Sequence, residues 1–505
     1  MEPTTLTYLY GLSFFFLSYL SILIYYRLFL SPLAKFPGPR LAAATGLYEA
    51  YFQFIKGGKF TWEIERLHRK YGPVVRIKPF ELHCKDPDNY SMLYSGPMRK
   101  RDKDSWFSHL GWPKSIFSTE GHELHQERRR ILGQFFTKGA ILGLQPVIHA
   151  KIQALCEHFS VAAEQNRILE LHACFLCFAS DILSHHAFGE QNCFHHLDQP
   201  ELTADWKAKT NSCFALINVV RHFPWLYKLS HMIPLLAGLV TPAFHDFYEM
   251  EEEVKDMVRK TIEQGNTGNN KSIYPSILAN EKVPASDKKF ARLADDALFL
   301  MVAGTDAPTQ ALAITLFHIL NNSEAHQRVR AELHSALPDM IDPPQLEKLE
   351  QLPYLSAALK EGLRISSIVT TRLPRIAPDE TLQFHNWQIP PGTPVSMSTY
   401  FILRDPELFP EPSRFLPERW LLDQDKLRKL ERYLVPFSKG SLGCLGPNMT
   451  WAWLYLVLGT LLRRFELSLH DTTEKNVEMT RDCFIGQTDP GLNLIQVKVV
   501  REFYD

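Results

Sequence analysis

Pro436-Phe437-Ser438-Lys439-Gly440-Ser441-Leu442-Gly443-Cys444-Leu445-Gly446 holds one cysteine inside a glycine-rich loop, and an apolar helical stretch from Trp451 to Leu462 follows at once. The pattern suits a metal thiolate. Glycines let backbone N–H groups approach a sulfur, the start of a helix adds partial positive charge, and both stabilise the ionised thiol that ligates a metal. A free cysteine packed as a small hydrophobe is the competing reading for any isolated thiol. The rest of the chain decides between them.

The loop resembles the haem-binding segment of the cytochromes P450, F-x-x-G-x-R-x-C-x-G, with Phe437, Gly440, Cys444 and Gly446 in register and Leu442 where the family has arginine. Three further segments match that family in order and spacing. Glu361-Gly362-Leu363-Arg364 resembles its E-x-x-R, and Phe415-Leu416-Pro417-Glu418-Arg419-Trp420 resembles the loop whose arginine completes a Glu–Arg–Arg cluster. Ala303-Gly304-Thr305-Asp306 resembles the A-G-x-[DE] of the long helix over the distal haem face. The resemblance spans nearly the whole chain. It implies a mainly α fold with small β-sheets, the cytochrome P450 fold, preceded by one N-terminal transmembrane helix. It also implies a haem whose axial ligand is the Cys444 thiolate, a choice that favours O–O bond cleavage.

By the same resemblance, His125, Arg129 and Arg375 are assigned to the haem propionates. His125 and Arg129 stand four apart and so share a helix face, with histidine where the family has tryptophan. Glu361, Arg364 and Arg419 form the expected structural ion cluster, a partly buried network whose members must satisfy one another. The proton relay departs from the family. Asp306 is the acid, but Ala307 replaces the usual alcohol, and Pro308 removes the backbone donor to the Gly304 carbonyl, which predicts a kink. Thr305 and Thr309 flank the site, with Thr309 the substitute alcohol. Trp453 is a third departure, since many relatives carry glutamate there.

Composition sets the outer limits. The chain has 505 residues, 45% of them hydrophobic and 12% aromatic, enough for a large core. A net charge of −1 gives no global field to recruit nucleic acid. Eight scattered cysteines fit a reducing compartment better than a disulfide scaffold. Cys174-x-x-Cys177 lies in an apolar helical stretch without a second pair, and His185-His186 and His195-His196 read as solvated loop or helix-end residues.

No charged residue occurs from Pro3 to Tyr26, and the apolar run from Leu6 to Leu30 is long enough to cross a hydrocarbon layer of about 30 Å. Its bulky aromatic end disfavours a cleaved signal peptide. Arg27, Lys35 and Arg40 follow the span, so the positive-inside rule keeps the body cytosolic. The expected domains are an anchor at 1–31, a proline-rich hinge at 32–40 and a haem-thiolate catalytic domain at 41–505. The expected location is the endoplasmic reticulum membrane, single-pass, with the lipid bilayer as one partner.

Helical periodicity predicts helices over Trp62 to Lys70, Gly121 to Phe136, the 140s to 180s, His245 to Gln264, Phe290 to Leu320, Ser323 to Leu337 and Gln351 to Ile365. Strand-like runs fall at Val74 to Lys78, Gln383 to Ile389, Val395 to Thr399 and Leu494 to Val500. Gln264 to Asn270 reads as an exposed loop, and Phe214 to Phe244, broken by prolines, as a substrate-entry lid or as ordinary core and loop.

The leading functional expectation is a fungal haem-thiolate monooxygenase. It inserts one oxygen atom from O2 into an apolar small molecule, terpenoid or polyketide-like, in secondary metabolism, with electrons from NADPH through a partner reductase. Two alternatives stay open: a haem-dependent isomerase or dehydratase without net oxidation, and a non-catalytic haem-binding protein.

Overall fold

The computed structural model describes residues 3–109, 112–202, 205–233, 238–239, 241–265, 271–338 and 343–503. Most of the loop predicted at 264–270 and part of the 214–244 lid lie outside them. The chain groups into two compact units, Met1–Asp104 with Arg372–Ser398, and Ser105–Thr371 with Thr399–Asp505.

In the first unit the apolar N-terminal run forms the helix Pro3–Tyr25, extended by a π-helical turn Tyr26–Leu30. Its window Tyr10–Leu30 has a mean hydropathy of 1.6 and contains no buried residue. By length and composition such a helix is a candidate membrane span. The proline-rich hinge after it is packed rather than free: Phe36 is buried and lies 5.0 Å from the Trp387 ring, and the Arg76 N–H donates to the Pro37 carbonyl at 2.7 Å. Behind it stands a five-stranded sheet of order 74–76, 82–84, 394–396, 375–376, 102–103. The predicted run 395–399 is thus a strand only to Ser396, and Thr399 opens a helix of the second unit. Buried Arg372 ties the first unit together, donating to Glu81 at 2.6 and 2.9 Å and to Glu49 at 2.9 Å.

The second unit is helical around one axis, the long helix Phe290–Asn321, which runs on through Pro308. Two glycines let other helices approach it. A Cβ on Gly304 would stand 2.6 Å from Leu183 Cδ2 on the helix Leu171–Phe188, and one on Gly362 would collide with Thr315. The second glycine belongs to the cluster helix, Pro353–Ser366, so the E-x-x-R motif is also a packing motif. A three-stranded antiparallel sheet (168–170, 496–502, 465–470) and a hairpin (481–483 with 485–487) complete the unit. Short strands at 82–84, 168–170, 481–483 and 485–487 carry too few residues for period-two patterning to show, whereas Phe465–His470 does alternate apolar and polar side chains.

Candidate active site at Cys444

The cysteine loop is built by its glycines. Ser438 and Gly440 both take positive φ, 57° and 74°, and the Cys444 N–H donates back to the Phe437 carbonyl at 3.0 Å. The Gly446 N–H donates to Cys444 Sγ at 3.3 Å, which is the expected backbone support for a thiolate. From the helix His122–Gly133, Arg129 donates to the carbonyls of Gly443 at 2.6 Å and Cys444 at 3.0 Å, clamping the loop from behind. Burial nevertheless raises the Cys444 thiol, against the lowering effects of the Gly446 N–H, the Arg129 charge and the Leu445 N–H. The Cys444 side chain is itself exposed.

The long helix has an accessible stripe of its own. Among its mostly buried residues Ala303 is exposed, and Phe299, Leu300, Gly304 and Ala307 are half-buried. Positions 299–300, 303 and 307 fall on one stripe of the helix. At about 100° per residue, Thr309 sits nearly opposite Ala307 and Asp306 a quarter-turn away. Thr305, fully buried, is set apart from both: its hydroxyl donates to the Met301 carbonyl at 2.7 Å and accepts from Trp206 Nε1 at 3.0 Å.

Asp306 and Thr309 are brought together on a cavity of about 40 Å³ lined by both polar side chains, His172, Lys207, Asn211 and Gln310, and apolar ones such as Leu176 and Ile314. That is room for a few waters. Gln310 donates to Asp306 Oδ2 at 2.8 Å, while the buried Thr309 hydroxyl has no hydrogen-bond partner among the described residues. Burial pushes the Asp306 carboxyl up to about 6, against the His172 charge, the Gln310 hydrogen bond and the Lys207 charge.

The ion cluster forms with one member the sequence did not announce. Glu361 accepts from Arg364 at 2.7 and 2.8 Å, from Arg419 at 2.9 Å, from the Leu416 N–H at 3.0 Å and from Trp420 Nε1 at 2.9 Å. Burial alone would raise its carboxyl; the Arg364 hydrogen bonds and the two guanidinium charges hold it below its ordinary value. Arg364 spends its remaining donors on the carbonyls of Leu403, Pro412 and Arg414. The cluster thereby pins the cluster helix to the loops that precede the cysteine.

His125 is buried one turn before Arg129. Arg375 belongs to the first unit, where it is buried and donates to the carbonyls of Leu373 and Pro374. Trp453 is fully buried with its ring 5.5 Å from Phe178, a core position in which a glutamate would be desolvated. Two of the four paired histidines are not solvated: His186 is buried and donates to the Phe135 carbonyl at 3.0 Å, and half-buried His196 lies 2.8 Å from the Ser180 hydroxyl. Both belong to tertiary packing that periodicity does not reveal. Burial raises the thiols of Cys174, well above the ordinary range, and of Cys177, to about 12, so both are inert core side chains.

Sequence reasoning missed the aromatic wall. Phe117 stacks on Phe299 at 4.3 Å, and Phe484 meets Phe117 edge-on at 5.6 Å. Phe484 tips the 481–487 hairpin at φ 76°, a conformation rare for a bulky residue, and Asp482 holds it by accepting from the Phe484 N–H and the Thr370 hydroxyl, each at 3.1 Å.

A thiol on a glycine turn, a buried Glu–Arg–Arg cluster and a long helix with one exposed alanine face match the expected haem-thiolate layout. The family profile described as Cytochrome P450 matches residues 42–494. The chain is a cytochrome P450. Its relatives include conidiogenone synthase of Penicillium rubens, 37% identical over 94% of this chain and 95% of that one. Tryptophan 6-hydroxylase of Fusarium equiseti is 38% identical over 91% and 90%, and a cytochrome P450 monooxygenase of Sordaria araneosa is 35% identical over 97% of each. This P450 is an oxidoreductase whose family uses haem with an axial cysteine thiolate. Its residues fit that group: Cys444 offers an exposed sulfur supported by the Gly446 N–H, which is the chemistry an axial thiolate needs.

Proposed function

We propose that this P450 is a membrane-anchored monooxygenase of fungal secondary metabolism, acting on an apolar small molecule of terpenoid or polyketide type. The observation that carries the reading is the Cys444 loop, with its sulfur supported by the Gly446 N–H and its carbonyls clamped by Arg129. The wall of Phe117, Phe299 and Phe484 supports an apolar substrate, since such rings bind by area and exclude water. NADPH supplies electrons through a partner reductase, and the anchor belongs in the endoplasmic reticulum membrane as a single pass, with the catalytic body cytosolic.

Cys444 would supply the axial thiolate, and His125, Arg129 and Arg375 would hold the propionates. When bound, the haem activates O2 so that one oxygen atom enters the substrate and the other leaves as water. The protein's part is proton supply. Asp306 stores a proton at a carboxyl whose raised pKa, about 6, lies close to neutral pH. The Thr309 hydroxyl shares its cavity, on the side of the helix away from Ala307, and can pass that proton to water held there, which must carry it round the helix to the alanine face. Pro308 cannot donate to the Gly304 carbonyl, which leaves that oxygen to accept from a water on the alanine face.

The bare alanine face also favours a second reading, rearrangement or dehydration without net oxidation, because no hydroxyl of the motif points there. Reconstitution with a reductase separates the two. Product that requires both NADPH and O2 is expected; turnover without either would defeat the monooxygenase reading.

A further inference from the structure

The row of rings at the hairpin ends on a cation. Trp106 continues the row, its ring 6.3 Å from Phe484, and the buried Arg221 guanidinium lies 4.6 Å over the Trp106 face. Contacts therefore run from Phe299, on the accessible stripe of the long helix, through Phe117, Phe484 and Trp106 to Arg221. Rings that lead to a buried guanidinium suit a ligand that is apolar along its body and polar at one point.

Arg221 does not stand alone. It follows Asn218 by three residues on the helix Asp205–His222, so the two side chains share a face. Asn218, 7% exposed, donates through Nδ2 to the Asp482 carbonyl at 3.0 Å, and this fixes the amide, because a carbonyl only accepts. Its Oδ1 is left buried with no hydrogen-bond partner among the described residues. A buried acceptor in that state is costly, and native proteins keep few of them. The position is also rigid: the Asp482 side chain that holds the Phe484 tip belongs to the residue whose carbonyl holds Asn218. Arg221 donates to the Thr371 hydroxyl at 3.4 Å, beyond the usual limit of about 3.2 Å, so that contact is weak.

We propose that Asn218 and Arg221 bind a hydroxyl group of the substrate, which accepts from the Arg221 guanidinium and donates to Asn218 Oδ1. A hydroxyl meets both demands. A ketone or carboxylate brings acceptors alone and would set a lone pair against Asn218 Oδ1, while an ammonium would meet the guanidinium charge. The substrate class narrows to an alcohol or phenol with an apolar body. This rests on the apolar-substrate reading of the aromatic wall.

Equilibrium dialysis of the full-length, haem-loaded protein tests it, corrected for partition of each probe into the detergent micelle. The probes are limonene with perillyl alcohol, farnesene with farnesol and naphthalene with 2-naphthol, each alcohol also as its methyl ether, which accepts but cannot donate. In at least one set the alcohol should bind about tenfold or more tighter than both the hydrocarbon and the ether. In Asn218→Leu that preference should shrink to about twofold or less, with hydrocarbon affinity unchanged. Alcohols that bind no better than their ethers in every set would overturn the proposal, as would a preference that survives in haem-loaded Asn218→Leu. The ether comparison needs no variant, so it decides the matter even if Asn218→Leu fails to load haem. Hydrocarbons that bind without any alcohol preference would leave the apolar-substrate reading standing; sets in which nothing binds would overturn the anchor and count against that reading as well.

Discussion

Glu361 carries more of the second unit's stability than any catalytic side chain, because its carboxylate is the shared acceptor for Arg364, Arg419 and Trp420 in a site closed to water. Glu361→Ala leaves buried guanidinium groups without their acceptor, a loss of about 3–5 kcal/mol. Denaturant unfolding should show that loss and haem absorbance a matching drop in loading; fully loaded protein of unchanged stability would contradict it. Asp306 works the other way. Its folded-state pKa of about 6 exceeds the unfolded value, so the native state binds the proton more tightly, and stability falls as pH rises from about 4 to 6. Asp306→Asn should therefore stabilise the protein by on the order of 2–3 kcal/mol at pH 7, with the gain vanishing below about pH 4. Thermal melts across that range check the sign, and slower product formation is expected alongside. Thr309→Ala should uncouple electron consumption from product, measured as NADPH oxidised per product formed.

At the scale of elements, the long helix depends on Gly304. Gly304→Ala drives a methyl against Leu183 and should cost about 1–3 kcal/mol, as overpacking does. Adding Leu183→Ala should recover part of the loss in a double-mutant cycle, whereas strictly additive losses would show that this contact is not the cause. The amphipathic helices were legible because their buried faces repeat over many turns: the run predicted at 290–320 is the helix Phe290–Asn321, and that at 245–264 is Pro242–Gln264. The motif residues of the cysteine loop and ion cluster were legible for a different reason, since chemistry fixes their identity as well as their spacing. The aromatic wall was not. Phe117, Phe299 and Phe484 come from a loop, a helix and a hairpin tip, and only tertiary packing joins them. Likewise nothing in the sequence shows that Thr305 is committed to Trp206 while Thr309 reaches the cavity of Asp306.

On the scale of the whole molecule, an apolar N-terminal helix and a packed hinge lead into one unit, and the thiol, ion cluster and long helix all belong to the other. Local motifs alone would fix a haem protein; the aromatic cluster suits an apolar substrate, and the buried acid Asp306 is the feature that favours oxygen insertion over rearrangement. The most direct test is turnover under isotopically labelled dioxygen, with the full-length protein, a reductase, NADPH and a panel of terpenoid and polyketide substrates. One labelled oxygen atom in the product, lost when NADPH is omitted, is the predicted result. Product that forms without NADPH, or that carries no label, would contradict the account.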